Sequence, residues 1–391
     1  MLKVLHIIPS FYPAHIYGGP IESVYRLTQA LRRRGCEVRV LTTDANGPYK
    51  TLDVVTNKEI SLCEGISVRY CKRWAGDDIS LHYLRVLSSY IRWADLVHLT
   101  AVYSFPTIPA LLGCRIYGKP LVWSPRGSLQ RWHMSRHCWS KAIWDWICRG
   151  VSPRALMAHA TSEAEAIESA ERLGGVKTVV VPNGMDIPAE VAHIECRERL
   201  RLLYLGRLHP IKGIENLLSA CELLNRNSGR AWSLSIAGGG ERHYTEFIQA
   251  RIAKLGLSSQ VNMVGEVLGR SKRALFANSD IAVAPSYKEN FGMVIAEALA
   301  HGVPVIAGQG TPWRVTEEIR CGLWVENSPE SLAAAIERMR ELDLQAMGRR
   351  GREWIAEEFS WDKQACLLAR SYADLLDHGV EQEEAKIYER L

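Results

Sequence analysis

The sequence predicts an α/β fold of two domains, each a Rossmann-like, doubly wound parallel sheet, facing each other across a cleft. Three observations carry this. Short apolar runs of β type alternate with amphipathic helical stretches, the pattern of a parallel sheet covered on both faces. The pattern breaks at a polar, turn-rich stretch, PNGMDIPAEVAHIECRER, and then starts again. The chain has 391 residues, 47% of them hydrophobic, which is too much for one ordinary core and enough for two. The expected division is residues 1–185, residues 186–358, and a C-terminal helix over residues 359–391 whose apolar face packs back toward the first domain.

Taken in order, VLHIIPS opens the first domain as a strand, and IESVYRLTQALRRRG follows as a helix that stops at Gly35. CEVRVLTT, ISVRYC, LVHLT, PLVWS, ALMAHAT and TVVVPN are its further strands, with AEAIESAERLGG a helix before the last of them. The second domain reads RLLYLGRL, AWSLSIAGGG, VNMVGEV, DIAVAPS, PVIAGQG and GLWVE as strands, and WDKQACLLARSYADLL as the closing amphipathic helix.

Other classes are disfavoured. No stretch approaches the roughly 20 apolar residues that span a bilayer, and MLKVLHIIPSFYP runs straight into a strand instead of a signal peptide. A cytoplasmic protein is therefore expected. The 10 cysteines stand singly, without CxxC or a Cys/His cluster, so reduced core thiols are expected, with neither disulfides nor a bound metal. A formal charge of +5 is compatible with anionic substrates or a membrane surface and suggests no nucleic-acid partner.

Open parallel sheets bind ligands beyond the carboxyl ends of their strands, so the informative residues should lie there. In YLGRLHPIKGIENLL, Gly206, Arg207 and Lys212 fall between a strand and a helix, where an Arg fork and a Lys point charge suit a diphosphate. Taken alone, they read equally well as solvated loop charges. AGGGER resembles a dinucleotide fingerprint only loosely, because its glycine spacing is wrong. In PSYKENFGMVIAEALAHGVPVIA, a strand-end loop carries Glu289 and leads into a helix that stops at Gly302. The free N–H groups of Gly292, Met293 and Val294 would favour negative charge. Glu297, one to two turns into that helix, could point toward a ligand's hydroxyls, although a generic pair of acids would be solvated.

Two acids spaced as Glu289 and Glu297 around Asn-Phe-Gly, followed by AEALAHGVPVIA and preceded by the G-R…K-G element, resemble the retaining GT-B glycosyltransferases. These are the sugar-nucleotide-dependent family-4 group. The likeness is strongest over residues 200–330 and weaker in the first half, where IIPSFYPAHIYGGPIESVYRL matches the family's usual opening. The resemblance implies that Arg207 and Lys212 bind the diphosphate of a UDP- or GDP-type donor, Glu297 its ribose, and Glu289 with the backbone of Asn290, Phe291 and Gly292 the transferred sugar. Gly18 and Gly19 would admit the phosphates, and the turn from Val264 to Glu266 would border the base. Arg207, Lys212 and Glu289 are the catalytic candidates, with no cofactor and no metal. SPRGSLQRW and GQGTPWR further resemble members that build lipopolysaccharide and other surface glycans.

Where many members carry a histidine near the reacting sugar, this chain reads Ser124-Pro125-Arg126-Gly127. Arginine does not give up its proton, so Arg126 is expected to bind sugar, phosphate or an anionic acceptor. His98, Tyr103, Arg131 and Trp132 complete the acceptor candidates. Between residues 122 and 154, Trp123, Trp132, Trp139, Trp144 and Trp146 alternate with Arg126, Arg131, Arg136, Lys141, Arg149 and Arg154. That mixture suits a lipid headgroup region. Trp144 and Trp146, at the strongest apolar spacing, are expected in the core, and Trp132 with its Arg/His run at a membrane-facing rim. The expected acceptor is a glycan or lipid-linked glycan at the inner face of the membrane. A nucleotide-sugar epimerase, a phosphorylase and a non-catalytic nucleotide-sugar-binding subunit are the rival readings. The first would need acid/base groups not seen here, the second a pyridoxal-binding lysine motif.

Overall fold

The computed structural model describes residues 1–129, 138–191, 199–227 and 229–388, and two compact units form: Met1–Gly184 with Trp361–Leu391, and Met185–Ser360. The first unit is built on strands β1 (Lys3–Ser10), β2 (Glu37–Thr43), β3 (Glu59–Cys63), β4 (Ile66–Cys71), β5 (Leu96–Thr100), β6 (Leu121–Ser124), β7 (Leu156–Ala160) and β8 (Lys177–Val180). They run in the order β3-β4-β2-β1-β5-β6-β7-β8, all parallel except β3, which pairs antiparallel with β4 at the edge. Its helices are α1 (Gly19–Arg33), α2 (Leu81–Trp93), α3 (Thr107–Ile116), α4 (Cys138–Val151) and α5 (Glu163–Arg172).

The strands are buried on both faces, and their period of two divides the apolar side chains between two helical layers. Leu5, Ile7, Val97, Leu99, Leu121 and Trp123 pack with Tyr83 of α2, Ala110 of α3 and Cys148 of α4. Val4, Ile8, Val38 and Val122 pack on the opposite face with Val24, Leu27 and Leu31 of α1. Leu368 and Tyr372, from the long last helix of the chain, join that second layer. Each wholly buried Val, Leu or Ile among them stabilises the fold by roughly 1.5–3 kcal/mol.

The second unit is a six-stranded, wholly parallel sheet of β9 (Leu200–Leu205), β10 (Trp232–Ala237), β11 (Val261–Gly265), β12 (Ile281–Ala284), β13 (Val305–Gly308) and β14 (Gly322–Val325). The order is β11-β10-β9-β12-β13-β14, so the chain reverses direction across the sheet between β9 and β12. Helices α6 (Ile214–Asn227), α7 (Arg242–Lys254), α8 (Gly269–Ala277), α9 (Met293–Ala300), α10 (Val315–Glu318), α11 (Pro329–Arg340) and α12 (Leu344–Glu358) follow the strands. Leu217, Ile248 and Ile336 fill one face, and Ile295, Leu299 and Ile355 the other. Helix α13 (Trp361–Tyr388) then belongs to the first unit and packs along α1. Among the described residues no helix is long and apolar enough to cross a membrane.

Candidate active site

The point of reversal between β9 and β12 is where an open parallel sheet leaves a crevice at its strand ends, and the predicted donor residues gather there. After β9 the chain turns through Gly206 and the exposed Arg207, and His209 accepts the N–H of Ile211 through Nδ1 at 3.2 Å, capping a short 3-10 turn over Pro210–Lys212. Gly213 follows at φ +67°, and a Cβ there would lie 2.0 Å from the carbonyl oxygen of Pro285. Only glycine lets this loop close on the loop after β12.

That closure brings Lys212 onto Glu289. The lysine Nζ donates to Glu289 Oε1, Ser286 Oγ donates to the same oxygen at 3.0 Å, and the Glu289 N–H is held by the Gly310 carbonyl at 2.8 Å. Both partners of the pair keep about a fifth of their side-chain surface exposed, Lys212 21% and Glu289 18%. Glu297, on α9, has a corresponding arrangement: Lys272 Nζ of α8 donates to its Oε1 at 2.6 Å. So each glutamate has one oxygen fixed by a lysine, and no described group bonds the other. Arg207 makes neither an ion pair nor a side-chain hydrogen bond among the described residues.

The Asn-Phe-Gly entry to α9 is held from below. Phe291 is buried against Trp313 and Phe359, and its carbonyl accepts from Trp313 Nε1, so its side chain is structural and only its backbone N–H side can meet a ligand. Gly292 caps α9 in the left-handed conformation, and no described acceptor takes the N–H groups of Met293 or Val294. The glycines of AGGGER have a packing role: a Cβ on Gly238 would sit 1.9 Å from the Gly206 carbonyl oxygen, so β10 must end flush against the Arg207 loop. Val264 is half-buried at the end of β11, and Glu266 is exposed and leans over Gly239.

In the first unit Gly18 and Gly19 form the exposed start of α1, with nothing within 4 Å of a Cβ added to Gly18. The acceptor candidates fare differently. His98 was expected near a ligand and is instead wholly buried, with both ring nitrogens engaged. His6 and His98 face each other across the β1/β5 register and stack at 4.4 Å, and His159 lies beyond Ser124. Burial, and after it the Arg126 charge, pushes His6 and His159 down to about 3; burial, with the neighbouring imidazoles of His6 and His159 adding to it, holds His98 well below its usual value.

Neutral rings set the direction of every proton in this chain. His159 Nε2 must donate to the Val181 carbonyl (2.9 Å), so its Nδ1 accepts from Ser124 Oγ (2.7 Å). Ser124 then accepts from His98 Nε2 (2.6 Å), and His98 Nδ1 accepts from Tyr372 of α13 (2.5 Å).

Arg126 sits above this row at φ +53°, a left-handed conformation that is strained for a residue other than glycine, and donates to Asn183 Oδ1. Buried Glu165 anchors the same turn, accepting from the Gly127 N–H through one oxygen and from Thr161 N–H (2.7 Å) and Oγ1 (3.0 Å) through the other. Tyr103 is likewise engaged, donating to Asp145 (3.0 Å) and accepting from Arg172 (3.2 Å). Arg131 and Trp132 lie outside the described residues. Trp144 packs against the core and donates to the Val102 carbonyl, but Trp146, expected beside it, is 70% exposed. Positions two apart on a helix lie about 200° round from each other, so both cannot face inward.

Two doubly wound parallel-sheet units, with cations and carboxylates collected at the strand ends of the second, define the GT-B class of fold. The family model described as Glycosyl transferases group 1 matches residues 193–354, and that described as Glycosyltransferase Family 4 matches residues 17–188. The chain belongs to the family-4 glycosyltransferases. It is 34% identical over 211 residues to the GDP-mannose-dependent alpha-(1-6)-phosphatidylinositol monomannoside mannosyltransferase of Mycobacterium tuberculosis, covering 48% of this chain and 54% of that one. It is 27% identical over 353 residues, 88% of both chains, to the GDP-mannose:cellobiosyl-diphosphopolyprenol alpha-mannosyltransferase of Xanthomonas oryzae pv. oryzae. The match to the first of the curated relatives extends over only about half of their length. Among solved structures, Anabaena Alr3699/HepE in complex with UDP and glucose aligns with a TM-score of 0.72 at 19% identity, over 96% of this chain and 100% of that one.

Proposed function

We propose that the chain transfers a sugar, with retention of anomeric configuration and without a metal, from a nucleotide-diphosphate donor to a lipid-linked glycan. Its place would be bacterial surface-glycan synthesis: lipopolysaccharide, capsule or exopolysaccharide. The observation that carries the reading is the pairing of Lys212 with Glu289 beside Arg207, which has no partner among the described residues. Breaking the bond between the anomeric carbon and the diphosphate leaves negative charge on the phosphate oxygens. Arg207, Lys212 and the N–H groups at the start of α9 are the groups to stabilise it as it grows. The unbonded oxygen of Glu297 would accept from the ribose hydroxyls and that of Glu289 from the sugar, each carboxylate being held in place by its lysine. The acceptor attacks from the face the phosphate leaves, and the departing phosphate oxygen takes the acceptor proton. Glu289 then orients and does not act as nucleophile.

Two relatives named for GDP-mannose and for lipid-borne acceptors support a GDP-type donor and a lipid-linked acceptor, and so a cytoplasmic enzyme working peripherally at the inner membrane face. The test is nucleotide release from a panel of UDP- and GDP-sugars, with EDTA, with and without lipid extract as acceptor. The expected result is acceptor-dependent release that survives EDTA and yields a product of retained configuration. Strict dependence on added Mn²⁺ or Mg²⁺, or an inverted product, contradicts the mechanism, and no release from any donor contradicts the function.

A further inference from the structure

Helices α2, α3 and α4 cover one face of the first unit's sheet through a shared core, and their outer sides carry an unusual set of residues. On α4, Trp139, Ile143 and Trp146 recur at spacings of four and three and are 73%, 49% and 70% exposed. The neighbouring helices add Leu84, Leu112 and Ile116, also exposed. Solitary exposed apolar residues are ordinary; a run of them over three adjacent helices is not. A recess of about 560 Å³, lined by Trp146, Ile147, Arg149, Gly150 and Val151, opens at the end of α4, where Arg115 of α3 bonds the Gly150 carbonyl.

The charges on these helices are one-sided. The three helices carry Arg85, Arg92, Arg115, Lys141 and Arg149 and a single acid, Asp145, which is buried and paired with Arg172 at 3.2 Å. No acidic side chain of the three helices reaches solvent. Apolar side chains with indoles, ringed by arginines and lacking exposed acids, match a surface whose interior is apolar and whose headgroups are anionic. A protein partner with an acidic rim would meet the arginines but would leave little reason for a run of apolar groups this wide to stay uncovered in the free enzyme.

We propose that the outer face of α2, α3 and α4 is the surface by which the enzyme rests on an anionic bilayer. This deepens the lipid-linked acceptor reading by assigning the membrane contact to specific residues, and it does not depend on residues 130–137. The experiment is flotation with vesicles of phosphatidylcholine containing one-third phosphatidylglycerol, against phosphatidylcholine alone, across a salt series. The full chain is expected to float with the anionic vesicles and to be released by rising salt. The double variant Trp139→Ser, Trp146→Ser should bind them roughly tenfold more weakly, as should Arg85→Glu with Arg149→Glu. Phe247→Ser, an exposed aromatic on the second unit, should float like wild type, and donor binding should be the same in all variants. A wild type that stays in the soluble fraction at low salt overturns the proposal, as does a tryptophan double variant that floats unchanged. So does a wild-type dimer in sedimentation that the same variant dissolves, because the partner is then a second copy. Flotation without any nucleotide release would leave this surface standing and remove the transferase reading.

Discussion

The strands of both units carry polar, ionisable side chains and treat them in opposite ways. In the second unit, Lys212–Glu289 and Lys272–Glu297 are pairs with partly exposed side chains, and each carboxylate keeps an unbonded oxygen. In the first unit, Tyr372, His98, Ser124 and His159 pass hydrogen bonds inward to the Val181 carbonyl, and Glu165 spends both oxygens on protein donors. A partly exposed pair can exchange partners with an arriving ligand at little cost. A buried network cannot, because any lost bond leaves a desolvated group behind. The first arrangement suits binding and chemistry, the second the shaping of the turn that presents Arg126 and the tying of α13 to the sheet.

The largest expected effect attacks the inner network. Glu165→Ala strands the donors of Gly127 and Thr161, and should cost about 3–5 kcal/mol in urea denaturation while leaving donor affinity unchanged in the folded fraction. A loss confined to donor affinity would erase the distinction between the two regions. Next comes Arg207→Ala, which removes a cation from the site of developing charge and should lower turnover on the order of 10²–10³-fold, with circular dichroism unchanged. Glu297→Ala follows: loss of charged ribose hydrogen bonds of roughly 1.5–3 kcal/mol should weaken nucleotide binding in titration calorimetry about tenfold to a hundredfold.

The smallest effect is a pH slope. Above pH 6.5 the imidazoles of His6 and His159 are neutral in both folded and unfolded chains. Between that pH and about 3 only the unfolded chain takes up the protons, so stability should fall with falling pH. Each ring contributes a slope of up to about 1.4 kcal/mol per pH unit. His159→Gln should flatten the slope, and a slope unchanged by it would mean the ring is already charged in the fold.

Much of the second unit was legible because its signals are local. A strand, a glycine turn and a cation or acid within a dozen residues specify both the crevice and its contents, as at Gly206–Lys212 and Glu289–Glu297. The first unit's network was not, since His6, His98 and His159 are far apart in sequence and only the parallel register sets them side by side. Lys272 escaped for the same reason: nothing in SKRAL says that α8 will deliver it to Glu297. Edge strand β3 was missed because EISLC alternates between half-exposed and exposed positions, with no apolar run to mark it. Trp146 was misplaced by reading two tryptophans as one apolar face.

The central claim is that the polar groups at the second unit's strand ends serve the ligand and not the fold. Turnover and melting temperature of Lys212→Ala, measured on the same preparation with saturating donor, test it most directly. Turnover should fall on the order of a hundredfold or more while the melting temperature moves by no more than about 2 °C. A variant that loses several degrees and retains its turnover would contradict it, since Lys212 would then be holding the loops together and not the departing diphosphate.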